Sequence, residues 1–188
     1  MKKEYQEMFE DFPIIMALRD DEALEESLQA DCKIVFILYG TVCNIKDIVQ
    51  RIVDAGKLAF VHMDMISGLS TKEVAVDFIN EQTRAHGIIS TRSSVIKRGK
   101  ELGLFTIQRF FLLDSLALAN LKKQSEVSHP DFIEIMPGII PRVLQKVCEE
   151  VYPNVIAGGL ISTKEDILNA LNAGVTAIST TDNSLWYM

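Results

Sequence analysis

The chain has 188 residues, 48% hydrophobic and 24% charged, with a net charge of −7. This is enough length for one domain with a sizeable core, and the composition is that of an ordinary globular chain, not a disordered, low-complexity or collagen-like one. The acidity is local: residues 1–31 carry ten acids and three bases while the remainder carries sixteen of each, so the acidic total does not exclude nucleic acid as a partner.

Cys32, Cys43 and Cys148 form no C-x-x-C pair and no zinc spacing, which predicts reduced thiols in a reducing compartment. No signal-peptide pattern is read at the N-terminus. The longest apolar run, around Ile34 to Leu38, is far too short to cross a bilayer. A cytoplasmic protein with no membrane association is expected.

In chain order, residues 1–12 read as a helical extension whose Tyr5, Met8, Phe9 and Phe12 cover one face of the body of the fold. Strand-like runs then recur at Ile14–Leu18, Ile34–Tyr39, Leu58–Met63, Gly87–Ser90, Leu104–Gln108, Phe132–Met136, Val155–Ala157 and Thr176–Ser179. Amphipathic stretches separate them, as where Val74, Ala75, Phe78 and Ile79 share one face. The unit repeats every ~23 residues, short for a strand–helix pair but workable with tight loops. Eight strands alternating with seven helices predict an α/β fold, a single-domain TIM-like (β/α) barrel of eight parallel strands spanning 1–188. Only Asn183–Met188 come after the eighth strand, so the last outer helix is expected to be reduced or missing. Ser70 and Ser162 each stand three residues before a glutamate, Glu73 and Glu165, a capping-box pattern that starts helices. Ser162 also adjoins a glycine pair, which leaves a role near a ligand open.

Chemistry in such barrels sits at the C-terminal strand ends. There His62 and Asp64 share strand parity and should face the same way, with Met65–Leu69 as a loop suited to closing over a ligand. The alternative for a lone strand-end histidine is a satisfied core residue, and that reading is preferred for His86 and His129. Glu134 alternates with Ile133 and Ile135, so it should point into the barrel mouth. It either accepts hydrogen bonds from a ligand's hydroxyls or pairs with Arg109 on the neighbouring strand, or does both. No third ligand completes a metal site by spacing.

The run Val155-Ile156-Ala157-Gly158-Gly159-Leu160-Ile161-Ser162, with Ser179-Thr180 at the eighth strand end, predicts a phosphate cup. Loops after strands seven and eight commonly build one, since glycine amides approach phosphate closely and a helix N-terminus faces it. From Arg84 to Arg109 the chain is rich in bases, of which Arg92, Lys97, Arg98 and Lys100 fall on or beside one helix. They are the candidate RNA-contacting residues, against the alternative of a solvated helix face. No strand ends in lysine, so a Schiff-base aldolase has no evident nucleophile.

The segments Phe60-Val61-His62-Met63-Asp64-Met65-Ile66-Ser67-Gly68-Leu69, Gly87-Ile88-Ile89-Ser90-Thr91-Arg92, Gln108-Arg109-Phe110-Phe111-Leu112-Leu113-Asp114-Ser115, Glu134-Ile135-Met136-Pro137-Gly138 and Ala157-Gly158-Gly159-Leu160-Ile161 resemble the bacterial glycerol-3-phosphate-responsive antiterminator family. The resemblance runs from about Ile14 to Thr181. It implies a non-enzymatic regulator of glycerol uptake and catabolism genes, with glycerol 3-phosphate as effector and no cofactor. The loaded protein would act on the leader of a nascent messenger RNA and prevent premature termination. Carried over by position, Gly158, Gly159, Ser179 and Thr180 would hold the phosphate, and His62, Asp64, Arg109 and Glu134 would contact the glycerol part, with Gly138 beside them. The competing expectation is a small phosphosugar enzyme (an isomerase, lyase or prenyltransferase) using Asp64 and Glu134 as acid and base. A homo-oligomer is left open.

Overall fold

Eight short apolar segments each turn one row of side chains inward and the other outward, and each pairs in parallel with its sequence neighbour. They are β1 (Ile14–Leu18), β2 (Ile34–Ile37), β3 (Leu58–His62), β4 (Gly87–Ser90), β5 (Phe105–Phe111), β6 (Phe132–Met136), β7 (Asn154–Gly158) and β8 (Ala177–Thr180). β1 pairs with β8 from Ile14–Ile178 to Met16–Thr180, which closes the barrel. The molecule is a computed structural model that describes residues 2–151 and 154–188. Helix α1 (Lys2–Asp11) precedes the barrel, and α2 (Asp21–Gln29), α3 (Ile45–Asp54), α4 (Val74–Gln82), α5 (Ser93–Glu101), α6 (Ser115–Ser128), α7 (Pro141–Glu150) and α8 (Lys164–Asn172) connect its strands. The (β/α)₈ architecture is therefore as expected. No helix among the described residues is long and apolar enough to cross a membrane.

The barrel interior is filled largely by aromatic rings. Phe36, Phe60, Phe105 and Phe132 all point inward from the strands, and α1 inserts Phe9 among them from the N-terminal end. Phe9 is fully buried, with ring centroids 4.7 Å from Phe132 and 5.5 Å from Phe60. Gly87 makes room for this packing: a Cβ there would meet the Phe105 carbonyl at 2.3 Å and the Phe60 ring at 2.8 Å. The amphipathic reading of α1 holds for Tyr5, Met8 and Phe9 but not for Phe12, which lies past the helix end and is exposed.

Some sequence boundaries move. β5 continues to Phe111 because β6 pairs with it as far as Met136, so the polar pair Gln108-Arg109 lies inside a strand. After β8 the helix is replaced by the 3₁₀ turn Asn183–Leu185, and Trp186, 1% exposed, covers the gap while its Nε1 donates to the Thr180 carbonyl at 3.2 Å. Neither predicted capping box forms as written. α4 starts at Val74 with no side-chain cap, and α8 is capped one residue later, by Thr163 and Asp166. The β3–α4 loop is no free lid: Val42 N donates to Ser67 O at 3.0 Å and Ser67 N to Gly40 O at 2.9 Å, tying it to the β2–α3 loop. His86 behaves as a satisfied histidine, its Nδ1 accepting from Ala59 N at 3.1 Å. His129 does not belong to the core; it is an exposed left-handed cap on α6.

Candidate functional site

The site is built outward from one buried ion pair. The β5–β6 register sets Arg109 opposite Glu134, and strand alternation turns both inward above the phenylalanine layer. Arg109 Nε lies 2.6 Å from Glu134 Oε2, and Ser179 Oγ donates to Glu134 Oε1 at 2.6 Å. Glu134 is fully buried and Arg109 6% exposed. Both carboxylate oxygens are thus engaged, and of the two roles open to Glu134 the structure shows the ion pair. It fixes the guanidinium and the Ser179 hydroxyl from behind. Gly158 leaves space for this cluster, since a Cβ there would lie 2.6 Å from both Glu134 Oε1 and Ser179 Oγ. Gly138 packs on β7, its N–H donating to the Gly158 carbonyl at 2.6 Å. Both glycines lie behind the open mouth of the barrel and line no part of its cavity.

The mouth cavity, of about 160 Å³, opens between Arg109, Ala17, Leu38, Met136, Gly159–Ile161 and Ser179–Thr181. Gly159 (φ +74°) and Leu160 (φ +62°) are both left-handed, and this conformation turns the loop over the end of β7. Among the described residues the N–H groups of Gly159, Leu160, Ile161 and Thr181 donate no hydrogen bond. Thr180 is partly committed, its hydroxyl donating to the Ile161 carbonyl at 2.9 Å. The N-terminus of α8 differs from the sequence reading. Asp166 Oδ2 accepts from Ser162 N at 3.1 Å and from Thr163 N at 2.9 Å, and these bonds, led by the one from the Thr163 hydroxyl, hold its pKa down. That carboxylate already occupies the helix end, so the amides left for an anion are those of Gly159–Ile161, and Ser162 lies outside the cavity.

His62 and Asp64 part company. His62 ends β3 above Phe60, is 2% exposed, and neither ring nitrogen has a partner. Burial, then the positive Arg109, push its pKa down to about 4 against the opposing pull of Glu134 and Asp64, so the imidazole is neutral near pH 7. Asp64 lies in the 3₁₀ turn Met63–Met65, where strand alternation no longer applies. It accepts from Thr91 N at 2.8 Å and from the Ser90 and Thr91 hydroxyls, and pairs with Arg92 at 3.1 Å. It is a clamp between two loops, and it does not line the cavity.

The bases on α5 are mostly neutralised. Arg92 is held by Asp64, Arg98 by Asp77 and by Glu101 at 2.8 Å, and Lys100 lies 3.8 Å from Asp131 while donating to the His129 carbonyl. Of the four, only Lys97 has no ion pair among the described residues. Three of the four predicted bases thus pair with carboxylates of a turn, a loop and helices α4 and α5.

Sequence reasoning missed Ala17, Leu38, Met136, Leu160 and Thr181 as cavity walls. All but Thr181 are apolar and carry no signal of a site, and only the barrel closure brings β1 and β2 beside β8. No cluster of three or more His, Cys, Asp or Glu suited to a metal occurs among the described residues.

Fold and site together define a (β/α)₈ barrel whose mouth presents one oriented guanidinium and a left-handed loop of free amides. The chain belongs to the glycerol-3-phosphate responsive antiterminator family, whose model matches residues 14–186. It is 44% identical over 174 residues to the uncharacterized protein YgcP of Escherichia coli K12, covering 93% of this chain and 91% of that one. A glycerol uptake operon antiterminator regulatory protein from Listeria monocytogenes superposes with a TM-score of 0.92 at 34% identity, over 95% and 96% of the two chains. A glycerol uptake operon antiterminator-related protein from Thermotoga maritima does so at 0.83 and 35%, over 93% and 98%.

Proposed function

We propose that this protein is a sensor that binds glycerol 3-phosphate at the barrel mouth and, when loaded, binds the leader of a nascent messenger RNA to prevent premature termination of glycerol uptake and catabolism genes. The observation that carries the reading is Arg109, fixed by Glu134 at the wall of a cavity that also holds the unbonded amides of Gly159–Ile161. A fixed guanidinium with backbone donors suits a phosphate dianion. At 160 Å³ the cavity lies below the ~300–1,000 Å³ typical of drug-sized ligands and suits a small phosphorylated polyol. Ala17 and Leu38 offer apolar walls to the carbon chain, while His62 is buried and does not line the cavity.

The family's regulatory name supports sensing over turnover, as does the state of the two carboxylates. Asp64 and Glu134, the acid and base a phosphosugar enzyme would use, are both held in ion pairs, and neither lines the cavity. The sensor works in the cytoplasm, where both the metabolite and the nascent transcript are found. An effector shifts such a protein only by binding its RNA-competent state more tightly than the other.

Thermal unfolding with glycerol 3-phosphate, glycerol or inorganic phosphate tests the reading. At 100 times its dissociation constant, glycerol 3-phosphate should add about 2.7 kcal/mol, raising Tm by roughly 5–10 °C for a chain of this size. Glycerol should add nothing, and phosphate should add less. An unchanged Tm with glycerol 3-phosphate would sink the proposal.

A further inference from the structure

The two strands that carry the buried ion pair run directly into the walls of a second cavity. β5 leads from Arg109 through Phe111 to Leu113 and α6; β6 leads from Glu134 through Met136 to Ile140 and α7. Leu112 N donates to Met136 O at 2.9 Å, tying the two exits together. Between them lies a groove of about 350 Å³ with Leu118 and Val143 among its apolar walls, Leu113 and Ile140 at its rim, and Arg142 and Lys146 along one side. Leu113 is 84% exposed, an unusual position for a leucine with no partner surface. Arg142 is exposed and makes no ion pair among the described residues, while Lys146 meets only Glu150, at 3.9 Å on an open surface.

The contrast with α5 is direct. There three of the four cations are held by carboxylates; here two cations on one helix face stand beside an apolar concavity whose single carboxylate, Asp114, is exposed and accepts from Ala117 N at the start of α6. A ligand that fits must be flat and apolar on one side and anionic on the other. Charge complementarity selects single-stranded RNA, whose bases stack or pack on apolar surface while the phosphodiesters meet cations.

We infer that the groove between α6 and α7 is the RNA-contacting surface, one base seating against Leu113, Leu118 and Val143 with backbone phosphates on Arg142 and Lys146. This rests on the proposed RNA-binding function. It also supplies a route from effector to RNA: a phosphate drawn to Arg109 acts on β5 and β6, whose ends form both walls of the groove.

The test is fluorescence anisotropy of a labelled transcript of the 5′ untranslated leader of a glycerol-uptake operon, with saturating glycerol 3-phosphate, from 50 to 200 mM salt. For a single strand, each phosphate that no longer meets a cation lowers the log–log salt slope by about 0.7. Arg142→Ala/Lys146→Ala should therefore reduce the slope by about 1.4, so that affinity falls about sevenfold less over that range. Leu113→Asp should weaken binding as well, and Lys97→Ala on α5 should leave it unchanged. All three variants alter exposed side chains away from the mouth cavity and should keep the wild-type Tm rise with glycerol 3-phosphate. Wild-type affinity and slope in the double variant would overturn the assignment. So would a change in sedimentation mass with RNA binding intact, which would make the groove a contact between copies of this chain. Failure of the wild-type protein to bind the transcript would instead defeat the RNA reading itself, and the groove with it.

Discussion

Glu134→Ala should destabilise the protein by about 3–5 kcal/mol, because it leaves the Arg109 guanidinium uncompensated in a site only 6% exposed. The Ser179 hydroxyl also loses its 2.6 Å acceptor. For a chain of this length the loss corresponds to a fall of roughly 6–20 °C in Tm. The double variant Arg109→Met/Glu134→Leu separates the cost of an unpaired charge from the worth of the pair. Removing both charges should recover most of the stability, yet the double variant should show no response to glycerol 3-phosphate. A wild-type Tm in Glu134→Ala would mean that the pair does not hold the guanidinium in place.

Phe9→Ala should cost a similar amount, about 3–5 kcal/mol for a buried phenylalanine. The ring is fully buried and meets Phe60, Phe105 and Phe132 across the barrel axis. The vacated space is enclosed by strand side chains that cannot collapse into it without opening the barrel. In urea the midpoint should fall while the slope stays near wild type, since the surface exposed on unfolding is nearly unchanged. A loss below about 1 kcal/mol would place α1 outside the cooperative unit, because a large-to-small change in a packed core does not otherwise come so cheaply.

The barrel was legible because its strands are short apolar runs separated by amphipathic stretches, a pattern that fixes parallel order almost without reference to detail. Glu134 was turned toward the barrel interior correctly by alternation alone, as Ile133 and Ile135 flank it on a paired strand, but it lies buried behind Arg109 and outside the mouth cavity. The same rule failed two residues past His62, where the backbone leaves the strand for a 3₁₀ turn and carries Asp64 to the β4 end. Charge was the least legible property. Arg98 and Lys100 looked like a basic face because their partners, Asp77 and Asp131, lie on elements far away in sequence. Exposure of apolar residues was no more legible, as at Phe111, Leu113, Ile140 and Leu160. Periodicity reports which residues are apolar, and only the folded chain shows that these four stand exposed.

The glycines changed meaning in the structure. Gly158 and Gly159 together suggested a phosphate cradle under a helix N-terminus. Gly158 is instead a clearance for the Glu134–Ser179 hydrogen bond, and Asp166 caps the helix. Gly159 alone lines the cavity, its left-handed backbone continued by the left-handed Leu160. The proposed phosphate contacts are accordingly one guanidinium and the amides just past β7, of which only Gly159 was among the phosphate groups expected from the sequence.

A crystal structure of the protein with glycerol 3-phosphate tests that arrangement most directly. The phosphate should lie within hydrogen-bond reach of Arg109 and the Gly159–Ile161 amides, with the glycerol carbons toward Ala17 and Leu38. Density for the ligand at any other place, or a phosphate held only by the capped end of α8, would contradict it.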